Sequence, residues 1–118
     1  MRLIVGITGA SGIILAVELL KRLKALESVE THLIITDGGK LTIRDETDFD
    51  IYDIQQLADV VYNVNELDAS IASGSFLIEG MVIVPCTMKT VAGIASGYCE
   101  NLLLRAADVC IKEGRSEE

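Results

Sequence analysis

Apolar residues follow two alternating patterns in the first 36 residues, and these predict a strand, a helix and a second strand. Residues 3–8 are a short, nearly continuous apolar run rich in β-branched side chains, which is typical of a strand buried on both faces. Apolar residues then recur at helical spacing over 13–26, with three cations near the end of this helix, where they suit its dipole. Residues 31–36 resemble the first run. The three elements predict a right-handed βαβ unit.

The rest of the chain predicts more elements of the same two kinds. Helices are predicted at 40–46, 53–58, 66–72, 88–95 and 100–113, strands at 60–62 and 80–85, and loops at 37–39 and 73–75. No strand is expected after the last helix, so the predicted sheet has three or four strands. These patterns predict one α/β domain over residues 1–118, with a parallel sheet, helices on both faces and a marginal core that is either C-terminally truncated or dependent on partner subunits.

Charge and cysteine content narrow the function classes. The 118 residues carry a net charge of −8, and the segment 37–70 contains nine acidic and two basic residues. We therefore expect no nucleic-acid or membrane partner, and we expect any anion site to lie outside that segment. Three cysteines without a CxxC pair and a single histidine predict reduced thiols in a cytoplasmic protein without a metal site. The apolar stretch from 3 to 20 is interrupted by polar residues and glycines, which argues against a signal sequence.

A glycine-rich segment, Gly6-Ile-Thr-Gly-Ala-Ser-Gly12, lies between the first predicted strand and the first predicted helix. Open α/β sheets bind phosphates here, because glycines let a ligand approach the backbone and the helix N–H groups face the anion. The spacing is GxxGxxG, which differs from both the dinucleotide fingerprint and the P-loop. The segment predicts a phosphate or nucleotide-type ligand. The alternative is that the glycines serve close strand–helix packing alone.

A second segment, Pro85-Cys-Thr-Met-Lys-Thr90, holds the equivalent position after the predicted strand 80–85. Its hydroxyls and lysine at a helix start suit an anion or the polar edge of a ring, and the alternative is a threonine N-cap beside a solvated lysine. Because the carboxyl ends of parallel strands meet at one edge of a sheet, we expect both segments to line the same ligand site.

Charged residues on the last predicted helix have two open interpretations. Arg105 and Lys112 are seven residues apart and share a face, which suits an anionic ligand. Asp108 and Lys112 are also an i,i+4 pair, so the alternative is a surface salt bridge. Three other residues have structural interpretations from local sequence: Glu46 in a solvated acidic loop, His32 within a strand, and Cys86 as a small core residue.

Taken together and in order, five motifs closely resemble those of the UbiX-type flavin prenyltransferases, long described as phenylacrylic or hydroxyarylic acid decarboxylase small subunits. The motifs are Thr8-Gly-Ala-Ser-Gly12, Glu46-Thr-Asp48, Ala72-Ser-Gly-Ser75, Gly80-Met-Val-Ile-Val-Pro-Cys-Thr-Met-Lys-Thr90, and Arg105-Ala-Ala-Asp108 with Lys112-Glu113. The resemblance implies a Rossmann-like flavoprotein that binds FMN and needs no metal. The implied reaction transfers a dimethylallyl group from dimethylallyl phosphate to flavin N5 and C6. The implied partners are a UbiD-type decarboxylase, which receives the prenylated FMN, and further copies of the chain in a homododecamer.

The resemblance also implies roles for individual residues. The implied FMN contacts are Gly9, Ala10, Ser11, Thr36, Thr87, Met88, Lys89 and Thr90. The implied catalytic residues are Ser11, Glu46 and Lys112, and Arg105 and Lys112 would bind the substrate phosphate. Cations there favour departure of the allylic phosphate because they meet its developing charge. The sequence departs from the family at Asp37-Gly-Gly39, which is expected to bring a negative charge near the flavin edge.

Two alternatives to the transferase remain. The first is a flavin-binding or assembly remnant without turnover, since family members continue beyond the end of this chain. The second is an NAD(P) protein similar to short-chain dehydrogenases, since the first glycine segment and Asp37 imitate that cofactor loop. None of Tyr52, Tyr62 or Tyr98 is followed by lysine four residues later, as the dehydrogenase pair requires.

Overall fold

A five-stranded, wholly parallel sheet forms the centre of the molecule. The computed structural model describes residues 1–66, 69–73, 76–114 and 116–117. The strands are β1 (Arg2–Ile7), β2 (Glu30–Ile35), β3 (Val60–Asn63), β4 (Gly80–Ile83) and β5 (Ser116–Glu117), in the spatial order β3-β2-β1-β4-β5. This is the strand order of doubly wound nucleotide-binding folds, in which the direction of winding reverses between β1 and β4. The predicted α/β class and parallel sheet are confirmed.

Helices cover both faces of the sheet, as predicted. They are α1 (Ile13–Lys24), α2 (Asp37–Glu46), α3 (Ile51–Gln55), α4 (Met88–Ser96) and α5 (Leu102–Lys112), with a single 3-10 turn at Ser70–Ala72. One core cluster joins alternate residues of β1 and β2, such as Val5 and Leu33, to the apolar faces of α1, α2 and α3. The other cluster joins Ile4, Ile34 and Met81 to α5. The period-two burial of the central strands therefore gives the domain two cores.

Several predicted boundaries were wrong. Helix α2 begins at Asp37, not at residue 40, because the Thr36 hydroxyl accepts a hydrogen bond from Gly39 N at 3.0 Å and caps it. Helix α3 likewise begins at Ile51 because Asp50 caps it. The predicted helix 66–72 is reduced to the 3-10 turn, and the predicted strand 80–85 ends at Ile83.

The chain does not end on its last helix. The prediction that no strand follows α5 was wrong, since β5 pairs with β4 through Gly80 and Ser116. This strand was missed because two residues are too few to show a hydrophobic period. Parts of three predicted features lie outside the described residues: Leu67 and Asp68 of helix 66–72, Gly74 and Ser75 of loop 73–75, and Arg115 and Glu118 at the chain end.

The buried histidine of β2 anchors the amino-terminal edge of the sheet. His32 is 2% exposed, and its ring nitrogens lie 2.9 Å from the Tyr62 hydroxyl and 2.6 Å from Glu30 Oε1. The Phe76 ring lies edge-on to His32, and the Arg2 guanidinium carbon lies 4.3 Å from the centre of that ring. These contacts confirm that His32 has a structural environment, with both ring nitrogens paired.

We expect part of the acid sensitivity of this protein to come from Glu30. The hydrogen bond from His32 lowers the pKa of the Glu30 carboxyl below its ordinary value of 4.5. A carboxylate with a depressed pKa stabilises the fold above its unfolded-state pKa, and the contribution is lost as pH falls through the folded-state pKa. Glu30→Gln should therefore flatten the decline in the free energy of unfolding below about pH 4.5. Denaturant titrations at several pH values test this, with Glu18→Gln on the exposed face of α1 as the control; equal slopes for Glu30→Gln and wild type would contradict it.

Candidate functional site

Two loops at the carboxyl edge of the sheet are joined by a buried threonine. Thr8, directly after β1, is 1% exposed, and its hydroxyl donates a hydrogen bond to the Pro85 carbonyl at 2.7 Å. The same hydroxyl accepts a hydrogen bond from Thr87 N at 2.9 Å. The glycine-rich segment and the Pro85–Thr90 segment therefore meet at the point between β1 and β4 where α/β sheets bind ligands.

Two helices begin at this edge with threonine caps. The Thr36 hydroxyl caps α2, and the Thr87 hydroxyl accepts a hydrogen bond from Thr90 N at 3.1 Å and so caps α4. The Thr87 and Thr90 hydroxyls are also 2.9 Å apart. The threonine-cap interpretation of Thr87 is thus confirmed, and it is compatible with ligand binding because a capping hydroxyl lines the space beside its helix.

The loops after β1 and β2 approach each other through two glycines. A Cβ atom on Gly9 would lie 3.0 Å from the carbonyl carbon and from the carbonyl oxygen of Gly38. This distance is shorter than ordinary van der Waals contact, so Gly9 has a packing reason as well as a position at the candidate site. The alternative interpretation of the glycine segment, close packing, therefore holds at Gly9 without excluding a ligand.

A cavity of about 610 Å³ opens where these loops meet. That volume lies within the range of small-molecule and cofactor sites. Residues after all four of the longer strands line it, together with parts of α2, α4 and α5. The lining consists of Thr8, Gly9, Thr36, Asp37, Gly38, Leu41, Thr42, Val64, Asn65, Thr87, Lys89, Thr90, Gly93, Tyr98, Glu100, Asn101 and Leu104.

Hydroxyl, amide and backbone groups dominate the polar part of this lining. The charged residues are Asp37, Lys89 and Glu100, and the Lys89 ammonium lies 4.0 Å from Glu100 Oε1 with its side chain 88% exposed. An exposed pair at this distance contributes little to stability. The cavity thus offers many neutral donors and acceptors and one cation at its rim, an arrangement that suits a polar ring and a chain of hydroxyls.

The structure brings together five of the eight predicted FMN contacts, namely Gly9, Thr36, Thr87, Lys89 and Thr90. The other three, Ala10, Ser11 and Met88, do not line the cavity within the part of the chain that the structure describes. They are next to residues that do, in the β1–α1 loop and at the start of α4. Met88 is 80% exposed there.

The three residues predicted to act on the prenyl phosphate lie apart from this cavity. Glu46 is the exposed last residue of α2, and Arg105 is exposed on α5. Lys112 Nζ lies 2.8 Å from Asp108 Oδ2, so the i,i+4 ion pair expected from the spacing is present. The carboxylate raises the pKa of the Lys112 ammonium above its ordinary value of 10.5.

Several cavity residues were missed from the sequence. Asp37 and Gly38 were expected near the flavin edge only as a departure from the family, and Leu41 and Thr42, inside the predicted helix 40–46, gave no signal that they face a ligand. Val64 and Asn65 follow β3, and the rule that parallel strands end at one edge was a signal that could have found them. Tyr98, Glu100 and Asn101 lie in the α4–α5 connection, whose placement depends on tertiary packing and gives no local signal.

Cys86 belongs to the Pro85–Thr90 segment that borders the site. Cys86 packs half-buried against the α5 core, as predicted for a small core residue. Among the residues with described positions, no three histidine, cysteine or acidic side chains are grouped as metal ligands. No helix in the described ranges has the length and apolar character needed to cross a membrane.

The sheet order, the glycine-rich loop and the cavity at the reversal point together define a nucleotide-type binding protein of the doubly wound class. The chain belongs to the flavoprotein family, which it matches over residues 1–116.

Within that family the chain is similar to UbiX-type flavin prenyltransferases, in agreement with its motifs. It is 56% identical over 115 residues to a probable UbiX-like flavin prenyltransferase of Sedimentibacter hydroxybenzoicus, covering 98% of this chain and 61% of that protein. It is 54% identical to the flavin prenyltransferase LpdB of Lactiplantibacillus plantarum, covering 97% and 61%. The chain therefore spans about three fifths of the length of these relatives.

Solved structures show the same fold. A dodecameric FMN-dependent UbiX-like decarboxylase from Escherichia coli O157:H7 is 49% identical and superposes with a TM-score of 0.97, covering 99% of this chain and 63% of that one. AnUbiX, solved in complex with FMN and dimethylallyl pyrophosphate, is 45% identical with a TM-score of 0.95, covering 98% and 61%. The Rossmann-like flavoprotein fold expected from the motifs is confirmed.

Proposed function

We propose that this chain binds FMN in the cavity at the carboxyl edge of its sheet and acts as a flavin prenyltransferase. In the proposed reaction, which uses reduced FMN, the allylic C–O bond of dimethylallyl phosphate breaks, inorganic phosphate leaves, and a C–N bond forms at N5 as N5 loses its proton. The alkene of the dimethylallyl group would then take up a proton and bond through its tertiary carbon to C6, which loses its own proton. The observation that carries the proposal is the meeting of both family motifs, through Thr8 and Thr87, at one cavity between β1 and β4.

The residues present fit FMN. The cavity has room for a flavin, and its threonine hydroxyls and asparagine amides match the mixed donors and acceptors of an isoalloxazine edge and a ribityl chain. Close backbone approach at Gly9 and Gly38 leaves a side-chain-free wall against which a flat ring can lie. We favour FMN over NAD(P) as the ligand because the tyrosine and lysine pair that a short-chain dehydrogenase requires is missing from the sequence.

The cradle proposed for FMN is formed by Gly9, Ala10, Ser11, Thr36 and the segment 87–90. Ser11 also stands nearest the reacting centre in this assignment, on the loop that follows Gly9. Glu46 is assigned the proton transfer, and Arg105 and Lys112 are assigned to the leaving phosphate, because fixed cations lower the barrier where negative charge develops.

A mass measurement tests the transferase directly. The purified chain is titrated with FMN, with flavin absorbance and fluorescence as the readout, and then incubated without oxygen with FMN, a reductant and dimethylallyl phosphate. We expect saturable FMN binding and an extracted flavin heavier by one five-carbon prenyl unit. Bound but unmodified flavin would favour the flavin-binding remnant over the transferase, and absence of binding would contradict both.

The proposed partners follow from the proposed product. Prenylated FMN is delivered to a UbiD-type decarboxylase, and we place this delivery in the cytoplasm because the three cysteines of the sequence form no CxxC pair. Exposed apolar side chains on α1 and α4, including Ile14, Leu15, Met88 and Val91, support self-association into a homo-oligomer, which we propose to be a dodecamer. Sizing chromatography with simultaneous protein and flavin absorbance tests the assembly.

A further inference from the structure

We infer that Thr8 is a positioning residue of the flavin cavity, whose hydroxyl holds the β4–α4 loop in the orientation that FMN requires. No role was assigned to this residue by the sequence motifs beyond membership of the glycine-rich segment. The inference rests on the proposed function, because it concerns how the same cavity is held in shape.

Two hydrogen bonds of one hydroxyl connect loops that are far apart in the chain. Thr8 Oγ1 donates to Pro85 O at 2.7 Å across 77 residues and accepts from Thr87 N at 2.9 Å across 79 residues. The backbone N–H of Thr8 donates to the same Pro85 carbonyl at 3.1 Å. Both oxygen functions of the hydroxyl, as donor and as acceptor, are therefore used between the two loops.

Thr8 forms hydrogen bonds between the two loops just beyond the end of the β1–β4 pairing. The pairing of β1 with β4 stops at Gly6 and Ile83, and two backbone hydrogen bonds continue past it, Val84 N to Gly6 O at 2.9 Å and Thr8 N to Pro85 O at 3.1 Å. Beyond this point the segments that follow β1 and β4 separate into their loops. The hydrogen bond from Thr87 N to the Thr8 hydroxyl joins the two segments one position further along, at the first residue of the second loop that lines the cavity.

Thr87 connects the hydrogen bonds of Thr8 to the lining of the cavity. By accepting from the Thr87 N–H, the Thr8 hydroxyl holds the backbone of the residue whose own hydroxyl caps α4 at Thr90 and lies 2.9 Å from the Thr90 hydroxyl. Thr87 and Thr90 line the cavity, and so does Thr8, although it is only 1% exposed. Removing the Thr8 hydroxyl would take away the partner of the part-buried Thr87 N–H, which favours a shift of the loop.

Thr31 provides a matched control. It is also a threonine with 1% exposure, it lies in β2 at the opposite edge of the sheet, and its hydroxyl has no hydrogen-bond partner among the described residues. Thr31→Val therefore makes the same chemical change as Thr8→Val, at the same burial, without removing a hydrogen bond.

The test compares Thr8→Val, Thr8→Ser and Thr31→Val with wild type in the full chain. We expect Thr8→Val to weaken FMN binding roughly tenfold to a hundredfold and to alter the visible spectrum of bound flavin. Thr8→Ser keeps the hydroxyl and should stay within about threefold of wild type, as should Thr31→Val. Should Thr8→Val not fold, as judged by its thermal transition, Thr8→Ala is compared with Thr8→Ser in its place.

Hydrogen exchange at the Thr87 amide gives a readout that does not depend on flavin. The amide should exchange slowly in wild type, Thr8→Ser and Thr31→Val, and markedly faster in Thr8→Val. Unchanged exchange or unchanged FMN affinity in Thr8→Val would overturn the role of Thr8 while leaving the proposed function intact. Equal losses in Thr8→Ser and Thr8→Val would assign the effect to the methyl group and overturn it as well. Absence of FMN binding in wild type would overturn the proposed function itself, and with it the flavin role of Thr8.

Discussion

Replacing Gly39 with alanine should lower the free energy of unfolding by about 3 kcal/mol, the upper end of the usual cost of overpacking. An added Cβ would lie 2.6 Å from the Ile7 carbonyl oxygen and 3.1 Å from Ile35 Cγ2. The carbonyl cannot easily retreat, because it accepts hydrogen bonds from Thr36 N at 3.0 Å and from the Thr36 hydroxyl at 3.3 Å. Relief of the clash therefore costs the connection between β1 and the start of α2.

The neighbouring glycine supplies the control for this experiment. An added Cβ on Gly38 would have its nearest neighbour, Gly9 Cα, at 3.7 Å, which is ordinary contact. Alanine is also the better helix former, so Gly38→Ala should leave stability unchanged or raise it by up to about 1 kcal/mol. Urea unfolding followed by circular dichroism measures both variants. A Gly39→Ala protein as stable as Gly38→Ala would show that α2 accommodates the methyl group and would refute the prediction.

Lys112→Met should reduce prenyl transfer by about a hundredfold while leaving FMN affinity unchanged. The methionine keeps the length and apolar stem of lysine but removes the cation assigned to the departing phosphate. FMN binding should persist because Lys112 does not line the cavity within the described residues. The measurement is the single-turnover rate of prenyl-FMN formation, beside an FMN titration of the same preparation.

Asp108→Asn separates the charge of Lys112 from its ion pair. Loss of the carboxylate returns the pKa of Lys112 toward its ordinary value of 10.5, so the ammonium remains charged at neutral pH. We therefore expect Asp108→Asn to retain most of the transfer rate. If Lys112→Met were as active as wild type, or if Asp108→Asn lost as much as Lys112→Met, the phosphate role of the lysine would be wrong.

Local sequence was most informative where a structural requirement is met by one type of residue. The β-branched runs around Val5 and Ile34 predicted buried strands because each face of a parallel sheet must be apolar. The α2 start was misplaced because Gly38 and Gly39 were interpreted as a turn. The small size of Gly39 instead serves its close approach to the Ile7 carbonyl, which is a tertiary contact that no local pattern records.

The position of the candidate site in the fold could be predicted from the sequence, whereas only some of the residues that line it could. Strand ends at the reversal point located the two principal loops, with Thr87 and Thr90 in the second of them. Thr36 was assigned through the family resemblance alone. Tyr98 and Asn101 could not be assigned, because they reach the cavity only through the packing of α4 against α5. The distance of Lys112 from the cavity likewise follows from the direction of α5 and not from its sequence.

The buried His32 cluster and the cavity occupy opposite ends of the same central strands. Residues that anchor the sheet are therefore different from residues that face the ligand, and each group is replaceable without direct contact with the other. In a protein divided in this way, residues at the rim of the cavity can be substituted while the residues that anchor the sheet are kept. Such a division allows one inherited scaffold to serve several chemistries, and it marks the rim residues as the place to begin redesign.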